Sequence, residues 1–278
     1  MQTFPIVIAY DESPDARRAL IWAATEAVDS KRPLLVLMIE DVQETPTAPG
    51  VAGKVPSLVP HALEEARTLI ADLGVPSVQF EHRLGRVVSV LLGIADSAAC
   101  VVMGSHGHGP FGEAMLGSVS NNVARHATCP VVVVRQPRVT GARRIVVGVD
   151  GSPHSNAALE YACARAERTL EKVFAVHATH HDDLSALGER YESLHADQDR
   201  LQETIHEAAA SARRKHPDVH VEVEEWPGAP ARALADASRN ASLLVVGSRG
   251  RGYVNGLLLG SVSQAALHRA QCPVAVVR

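Results

Sequence analysis

Gly104, Gly107 and Gly117 lie in the stretch VVMGSHGHGPFGEAMLGSVS (101–120), and Gly247, Gly250 and Gly260 lie in VVGSRGRGYVNGLLLGSVS (245–263), 143 positions further on. Both stretches follow one spacing: glycine, two residues, glycine, nine residues, glycine, then Ser118 or Ser261. A loop that turns several backbone N–H groups toward an anion needs positive φ or close approach of another backbone, and a Cβ obstructs both. The spacing therefore points to phosphate held by a loop that opens a helix, with the serine hydroxyl as a further donor and as a cap. Val119 and Val262 suit apolar packing and are assigned contact through the backbone alone. Asp11 and Asp150 supply a carboxylate to each copy, and each also suits capping of the helix that follows. The copies differ in charge. Asp11-Glu12-Ser13 stands where the second copy has Asp150-Gly151-Ser152, and His106 and His108 stand where it has Arg249 and Arg251. Stronger phosphate electrostatics are expected of the arginine-bearing copy.

The elements that must position these residues are themselves repeated. IVIAYDESPDARRAL (6–20) matches IVVGVDGSPHSNAAL (145–159), and CPVVVVR (129–135) matches CPVAVVR (272–278). The first pair is offset by 139 positions rather than 143, so the second copy gains four residues between its second strand and Gly228. The segment QPRVTGAR (136–143) has the Pro, Gly and basic residues of an exposed linker, which predicts domains over 1–137 and 143–278 joined by 138–142. Within each copy, short β-branched runs such as PIVIAY, LLVLMIE and ACVVMGS alternate with longer helical patterns. Near-continuous apolar runs mean burial on both faces, hence a parallel sheet. Ser13-Pro14 reads as an N-cap followed by proline at the first helical position. The expected fold is α/β: two tandem, doubly wound, Rossmann-like domains, each with a five-stranded parallel sheet flanked by helices. A ligand in such a sheet lies beyond the carboxyl ends of the strands, where both glycine loops fall.

Composition narrows the partners. The net charge of −4 leaves no basic field for nucleic acid or an anionic membrane, and 4% aromatic residues leave few rings to stack on bases. No apolar run approaches the ~20 residues of a spanning helix, and MQTFPIVIAYDES lacks a basic leader, so a cytoplasmic location is expected. Cys100, Cys129, Cys163 and Cys272 form no Cys-x-x-Cys pair and read as small buried residues. THHDD (179–183) offers metal-ligand types, but neighbours on an extended segment point to opposite faces, so no metal site is assigned. The segment 189–216 reads as a charged helix with Leu194, Leu201, Ile205 and Ala208 on its apolar stripe, and Trp226 as a packing residue. No Walker lysine, dinucleotide fingerprint or nucleophile elbow is present, and no catalytic residue is assigned.

The glycine spacing, with an aspartate ending the first strand, resembles that of the ATP-binding universal stress proteins, in which tandem duplication is familiar, and the resemblance covers essentially the whole chain. It implies an adenine nucleotide, usually ATP and able to carry Mg²⁺, at up to two sites per chain. Asp11 and Asp150 would lie near the adenosine end, the glycine loops round the phosphates, and Ile39 and Ala178, each 28 positions after its aspartate, in the base pocket. The function implied is a nucleotide-dependent stress-response regulator. The alternative is a slow ATP hydrolase or phosphoryl-transfer enzyme, which the residues favour less because no base-and-clamp set is recognisable. The closing strands VVVVR and VAVVR would be exposed edges, so the two halves are expected to associate through them as a pseudo-dimer, with homodimerisation left open.

Overall fold

The computed structural model describes residues 3–41, 59–107, 116–135, 141–179, 189–251 and 259–278. The chain divides into two compact units, Met1–Arg135 and Gln136–Arg278. The first unit runs β1 (Ile6–Ala9), α1 (Pro14–Ser30), β2 (Leu34–Glu40), α2 (Val59–Ile70), β3 (Val78–Leu84), α3 (Val87–Ala95), β4 (Cys100–Gly104), α4 (Ser118–His126) and β5 (Val131–Val134). Its five strands are ordered β3-β2-β1-β4-β5. All four pairings are parallel, with Ile6 level with both Leu34 and Cys100.

The second unit repeats the plan with β6 (Arg144–Gly148), α5 (Pro153–Thr169), β7 (Lys172–Thr179), α6 (Glu189–Lys215), β8 (Val221–Pro227), α7 (Pro230–Ala237), β9 (Leu243–Gly247), α8 (Ser261–Arg269) and β10 (Val274–Val277). Its strands are ordered β8-β7-β6-β9-β10, and Ile145 is level with Val173 and Leu243. In each unit the chain winds outward from its first strand, then returns to the strand's other side. The point between β1 and β4, or β6 and β9, is where a crevice must open.

Burial explains the apolar runs. Strands β4, β5, β9 and β10 are buried along their whole length, because helices cover both faces of a parallel sheet. Helix α1 buries Ala16, Ala19, Leu20, Ala23, Ala24 and Ala27, and the five alanines let it lie close to the sheet. The Ser13 hydroxyl accepts from Ala16 N at 3.1 Å and the Ser152 hydroxyl from Ser155 N at 3.2 Å, each followed by proline, as the sequence predicts. All four cysteines are buried, and none is in a disulfide. Trp226 sits near the end of β8, its indole N–H donating to Glu224 Oε2 at 2.9 Å.

Helix α6 departs from the expected stripe. It buries Ile205, Ala209 and Ala212, while Leu201 and Ala208 are only half-buried and the side chain of Leu194 lies outside the description. The buried line follows the i, i+4, i+7 diagonal from Ile205, which moves the alanine contact one residue on from Ala208. His180 to Asp183 and the segment 136–140 lie outside the described residues. No helix among the described residues is long and apolar enough to cross a membrane.

Both long first helices end on a side-chain-bearing residue in the left-handed region, Lys31 at φ 53° and Leu170 at φ 55°. Leu170 is 78% exposed, so its side chain returns little for that conformation. Left-handed backbone costs an L-residue roughly 1–2 kcal/mol, part of which glycine gives back through its looser unfolded chain. Leu170→Gly should therefore raise the stability of the second unit by about 1 kcal/mol. A thermal melt showing an unchanged or lower Tm would contradict this.

Candidate functional site

In the first unit, β1 is followed by Tyr10, Asp11 and Glu12. Tyr10 is buried and donates its hydroxyl to Glu65 Oε2 at 2.9 Å, while Arg17 Nε donates to Glu65 Oε1 at 2.5 Å, which pins α1 to α2. Asp11 Oδ1 accepts from Ser13 N at 3.1 Å. The other carboxylate oxygen lies against the loop after β4, so close that a Cβ on Gly107 would stand 2.6 Å from it. Ser13 Oγ also donates to the carbonyl of His106 at 3.3 Å. The turn after β1 and the loop after β4 are thereby held as one wall.

The second unit builds the same wall more completely. Asp150 Oδ1 accepts from Ser152 N at 3.0 Å and Oδ2 from Arg251 N at 2.9 Å, and a Cβ on Gly250 would stand 2.3 Å from Oδ2. Burial pushes the Asp150 carboxyl up, but hydrogen bonds from Ser152, Arg251 N–H and Ser155 outweigh it and hold the group below the usual carboxylate range.

The six motif glycines divide into three kinds of work, and none of them takes positive φ, contrary to one of the two reasons expected for glycine here. Gly104 and Gly247 end their strands under the first helical turn of α1 and α5. A Cβ would meet Asp15 at 2.8 Å and the His154 backbone at 2.7 Å. Gly107 and Gly250 make room for the carboxylates. Gly117 and Gly260 are the N-cap residues of α4 and α8, at φ −60° and −69°. Their amides are already occupied, donating to Ser105 O at 2.8 Å and Ser248 O at 2.7 Å.

Ser118 and Ser261 are consequently the first helical residues rather than the caps, and no side chain caps either helix. The expected serine cap is corrected: the strand-to-helix turn spends its half-helical position on glycine, one residue earlier. Two serines that the sequence did not single out do bond the turn. Ser120 Oγ donates to Gly104 O at 2.8 Å and Ser263 Oγ to Gly247 O at 2.5 Å. The first intrahelical bonds are Asn121 N to Gly117 O at 3.0 Å and Gln264 N to Gly260 O at 2.9 Å. The amides of residues 118–120 and 261–263 precede them and carry the positive end of each helix.

Each set of amides opens on a cavity. In the first unit a space of about 630 Å³ brings together Asp11, Ile39, Gly104, Gly107, Gly117, Ser118 and Val119. In the second, about 550 Å³ is lined by Asp150, Ala178, Gly247, Gly250, Gly260, Ser261 and Val262 among others. Both volumes lie within the range of small-molecule sites. The glycines, serines, valines and aspartates assigned to the two sites, with Ile39 and Ala178, thus line the two cavities.

The structure adds residues that spacing did not reveal. Asp15, in the first turn of α1, accepts from the Ser105 hydroxyl, from His106 N at 3.1 Å and from the Arg18 guanidinium, and it lies 3.1 Å from His106 Nδ1. Burial raises its pKa, yet these hydrogen bonds leave it lower than usual. His154 occupies the matching position in the second unit, a mismatch between SPDA and SPHS that was the available signal. His177, buried at the end of β7, lines the second cavity with Nδ1 3.1 Å from Val149 O. His108 lies outside the described residues. Among the described residues no group of three His, Cys, Asp or Glu side chains is placed to hold a metal ion.

Fold and site together define a tandem pair of doubly wound α/β domains, each with an uncapped helix N-terminus facing a cavity at its switch point. The sequence pattern of the Universal stress protein family matches residues 3–135 and again 141–278. A universal stress protein of Mycobacterium tuberculosis is 34% identical over 288 residues, covering 98% of this chain and 96% of its own length. Another, from Mycolicibacterium smegmatis, is 33% identical over 288 residues, with 99% and 97% covered. The crystal structure of a universal stress protein from Archaeoglobus fulgidus shares the fold with a TM-score of 0.70 at 22% identity, over 100% of this chain and 97% of that one. The chain belongs to the universal stress protein family, with two such domains in tandem.

Two outcomes follow from the geometry. Gly247→Ala forces a Cβ into backbone 2.7 Å away, whereas Gly260→Ala makes only ordinary contact at 3.4 Å. The first should destabilise the second unit by about 1–3 kcal/mol, in the manner of overpacking, and the second by far less. Equal melting losses would refute the close-approach reading. Asp150, with its folded pKa depressed, contributes stability that is present above the unfolded carboxylate pKa of about 3.9 and is lost as pH falls through the folded value. Asp150→Asn should lower stability near neutral pH by roughly 1–3 kcal/mol and flatten the acid limb of the unfolding profile. An acid limb as steep as that of the parent protein would argue against it.

Proposed function

We propose that each unit binds one adenine nucleotide, ATP in the first instance, and that the protein acts as a nucleotide-dependent regulator of the stress response. The observation that carries this reading is the pair of uncapped helix N-termini, α4 and α8, each facing a cavity of nucleotide-site size. Three successive backbone donors at a helix start, beside a cleft at the switch point, suit a phosphate chain. The amides of residues 118–120 and 261–263 would hold the phosphates, and the Ser118 and Ser261 hydroxyls, free of capping, would donate to them. Mg²⁺ would come with the phosphates rather than from a protein cage. The base would lie toward Ile39 in one unit and Ala178 in the other, with Asp11 and Asp150 near the ribose.

Binding is favoured over catalysis because the cradle carboxylates already have work. Both oxygens of Asp150 accept backbone N–H bonds, and Asp11 accepts one while bracing the Gly107 loop. A carboxylate used as an anchor is poorly placed to take a proton from water. The universal stress protein family then supplies the regulatory sense: occupancy would be read out by partners.

Denaturing the purified protein and identifying the released nucleotide tests the reading, which expects adenine nucleotide at up to two equivalents per chain. Gly260→Glu places a carboxylate beside the α8 amides with room for its Cβ, so one equivalent should vanish while the fold persists by circular dichroism. Full retention of nucleotide by that variant would remove the cradle assignment. ADP appearing at a catalysed rate that stops in the variant would instead favour a hydrolase.

A further inference from the structure

The two cavities are alike in backbone and unlike in charge. Among the described lining residues, the second cavity has Arg249, Arg251, Asp150 and His177 and the first has Asp11, Asp41 and His106, formal charges of +1 and −2 with histidines counted as neutral. The arginines fall at the phosphate end, whereas Asp41, two residues on from Ile39, adds its charge toward the base end. Position 249 adjoins the N-cap of α8, since a Cβ on Gly260 would touch Arg249 Cα at 3.4 Å, and His106 Cα lies 3.7 Å from the same point on Gly117. Behind His106 stands the Asp15 carboxylate, 3.1 Å from its Nδ1, where the second unit has His154. Glu12 adds a further acid at the first unit's turn, where the second has Gly151. Arg251 has no acidic partner among the described residues, and Asp150 is satisfied through backbone N–H groups.

We propose that the two units divide their ligands by charge, the second taking the nucleoside triphosphate and the first a nucleotide with fewer negative charges, a nucleoside monophosphate. This rests on the nucleotide-binding reading and names the ligand class at each cradle. A monophosphate needs only the helix-start amides, which both units supply, from α4 in the first and α8 in the second. Each added phosphate brings charge that the guanidiniums of the second unit attract and the carboxylates of the first repel. Opposed fields of this size at a partly buried site amount to a preference on the order of tenfold or more per unit.

Calorimetric titration of the nucleotide-stripped, full-length chain with ATP and with AMP separates the sites when Gly117→Glu leaves only the second cradle and Gly260→Glu only the first. The Gly117→Glu protein should bind ATP at least about tenfold tighter than AMP, and the Gly260→Glu protein should bind AMP at least as tightly as ATP. Because a Cβ at Gly117 would sit 3.2 Å from Ser105 O, a second variant avoids that turn. Arg251→Gln keeps the N–H bond to Asp150 and alters only an exposed side chain, so in the otherwise unaltered chain one of two ATP affinities should fall about tenfold while AMP binding at that site holds. The same ATP-to-AMP ratio at both cradles, or an Arg251→Gln protein indistinguishable from the parent, overturns the division while leaving nucleotide binding intact. No binding of either nucleotide to the parent chain overturns both readings together.

Discussion

A carboxylate seated against a loop that has no Cβ is the contact on which each site depends. Asp150 reaches from the end of β6 across the switch point and takes the N–H of Arg251, and it can do so only because position 250 carries no side chain. That bond spans two strands' connections, so it fixes where the loop after β9 leaves the sheet. The same approach in the first unit is made by Asp11 to Gly107, assisted by Ser13 and the His106 carbonyl. Once the loop is set, the return bond from Gly117 N to Ser105 O, or Gly260 N to Ser248 O, sets where the next helix begins. The position of the exposed amides is thus a consequence of a half-buried carboxylate on another loop.

The glycine at the helix start has an opposite role from the others. An N-cap of serine or aspartate would satisfy one of the orphan amides and stabilise the helix by around 1 kcal/mol. Gly117 and Gly260 forgo that, and Ser120 and Ser263 turn back to the preceding strand instead of forward to the amides. A helix start left uncapped beside a cavity forfeits some stability, and the forfeited donors remain available to a ligand. Contrast α1 and α5, whose serine caps are complete and whose N-termini are committed to the fold.

Much of this was legible before the structure. The five-stranded parallel sheet follows from apolar runs alternating with helical patterns, and the caps of α1 and α5 from Ser-Pro. The glycine spacing located both cavities, although positive φ, one of the two reasons considered for it, is not adopted. At Gly104 and Gly247 the need is set by an approaching helix, which spacing along one loop cannot reveal. Asp15 escaped notice for the same reason: its neighbours Ser105 and His106 are some ninety residues away, joined only by the packing of α1 over β4. The stripe of α6 was displaced from Ala208 to Ala209 because five successive alanine or serine residues, 208–212, offer no volume contrast, and only packing selects among them.

Duplication separates what the frame requires from what it leaves free. The frame consists of backbone bonds, a carboxylate and absent side chains, and it is the same in both units down to Gly-to-carboxylate contact. The charged side chains round the cradle are outside it. His106 can become Arg249 because its backbone, not its ring, makes the turn, and Asp15 can become His154 because Gly104 and Gly247 meet only the first atoms of that residue. These two exchanges are also coupled electrostatically. An acid behind position 106 would pair with and partly offset a guanidinium there, and the second unit has His154 in that acid's place. Exchanging both together moves the local formal charge by two units in one direction while the glycine-to-carboxylate contact stays in place, and that freedom would let two copies of one fold hold differently charged ligands.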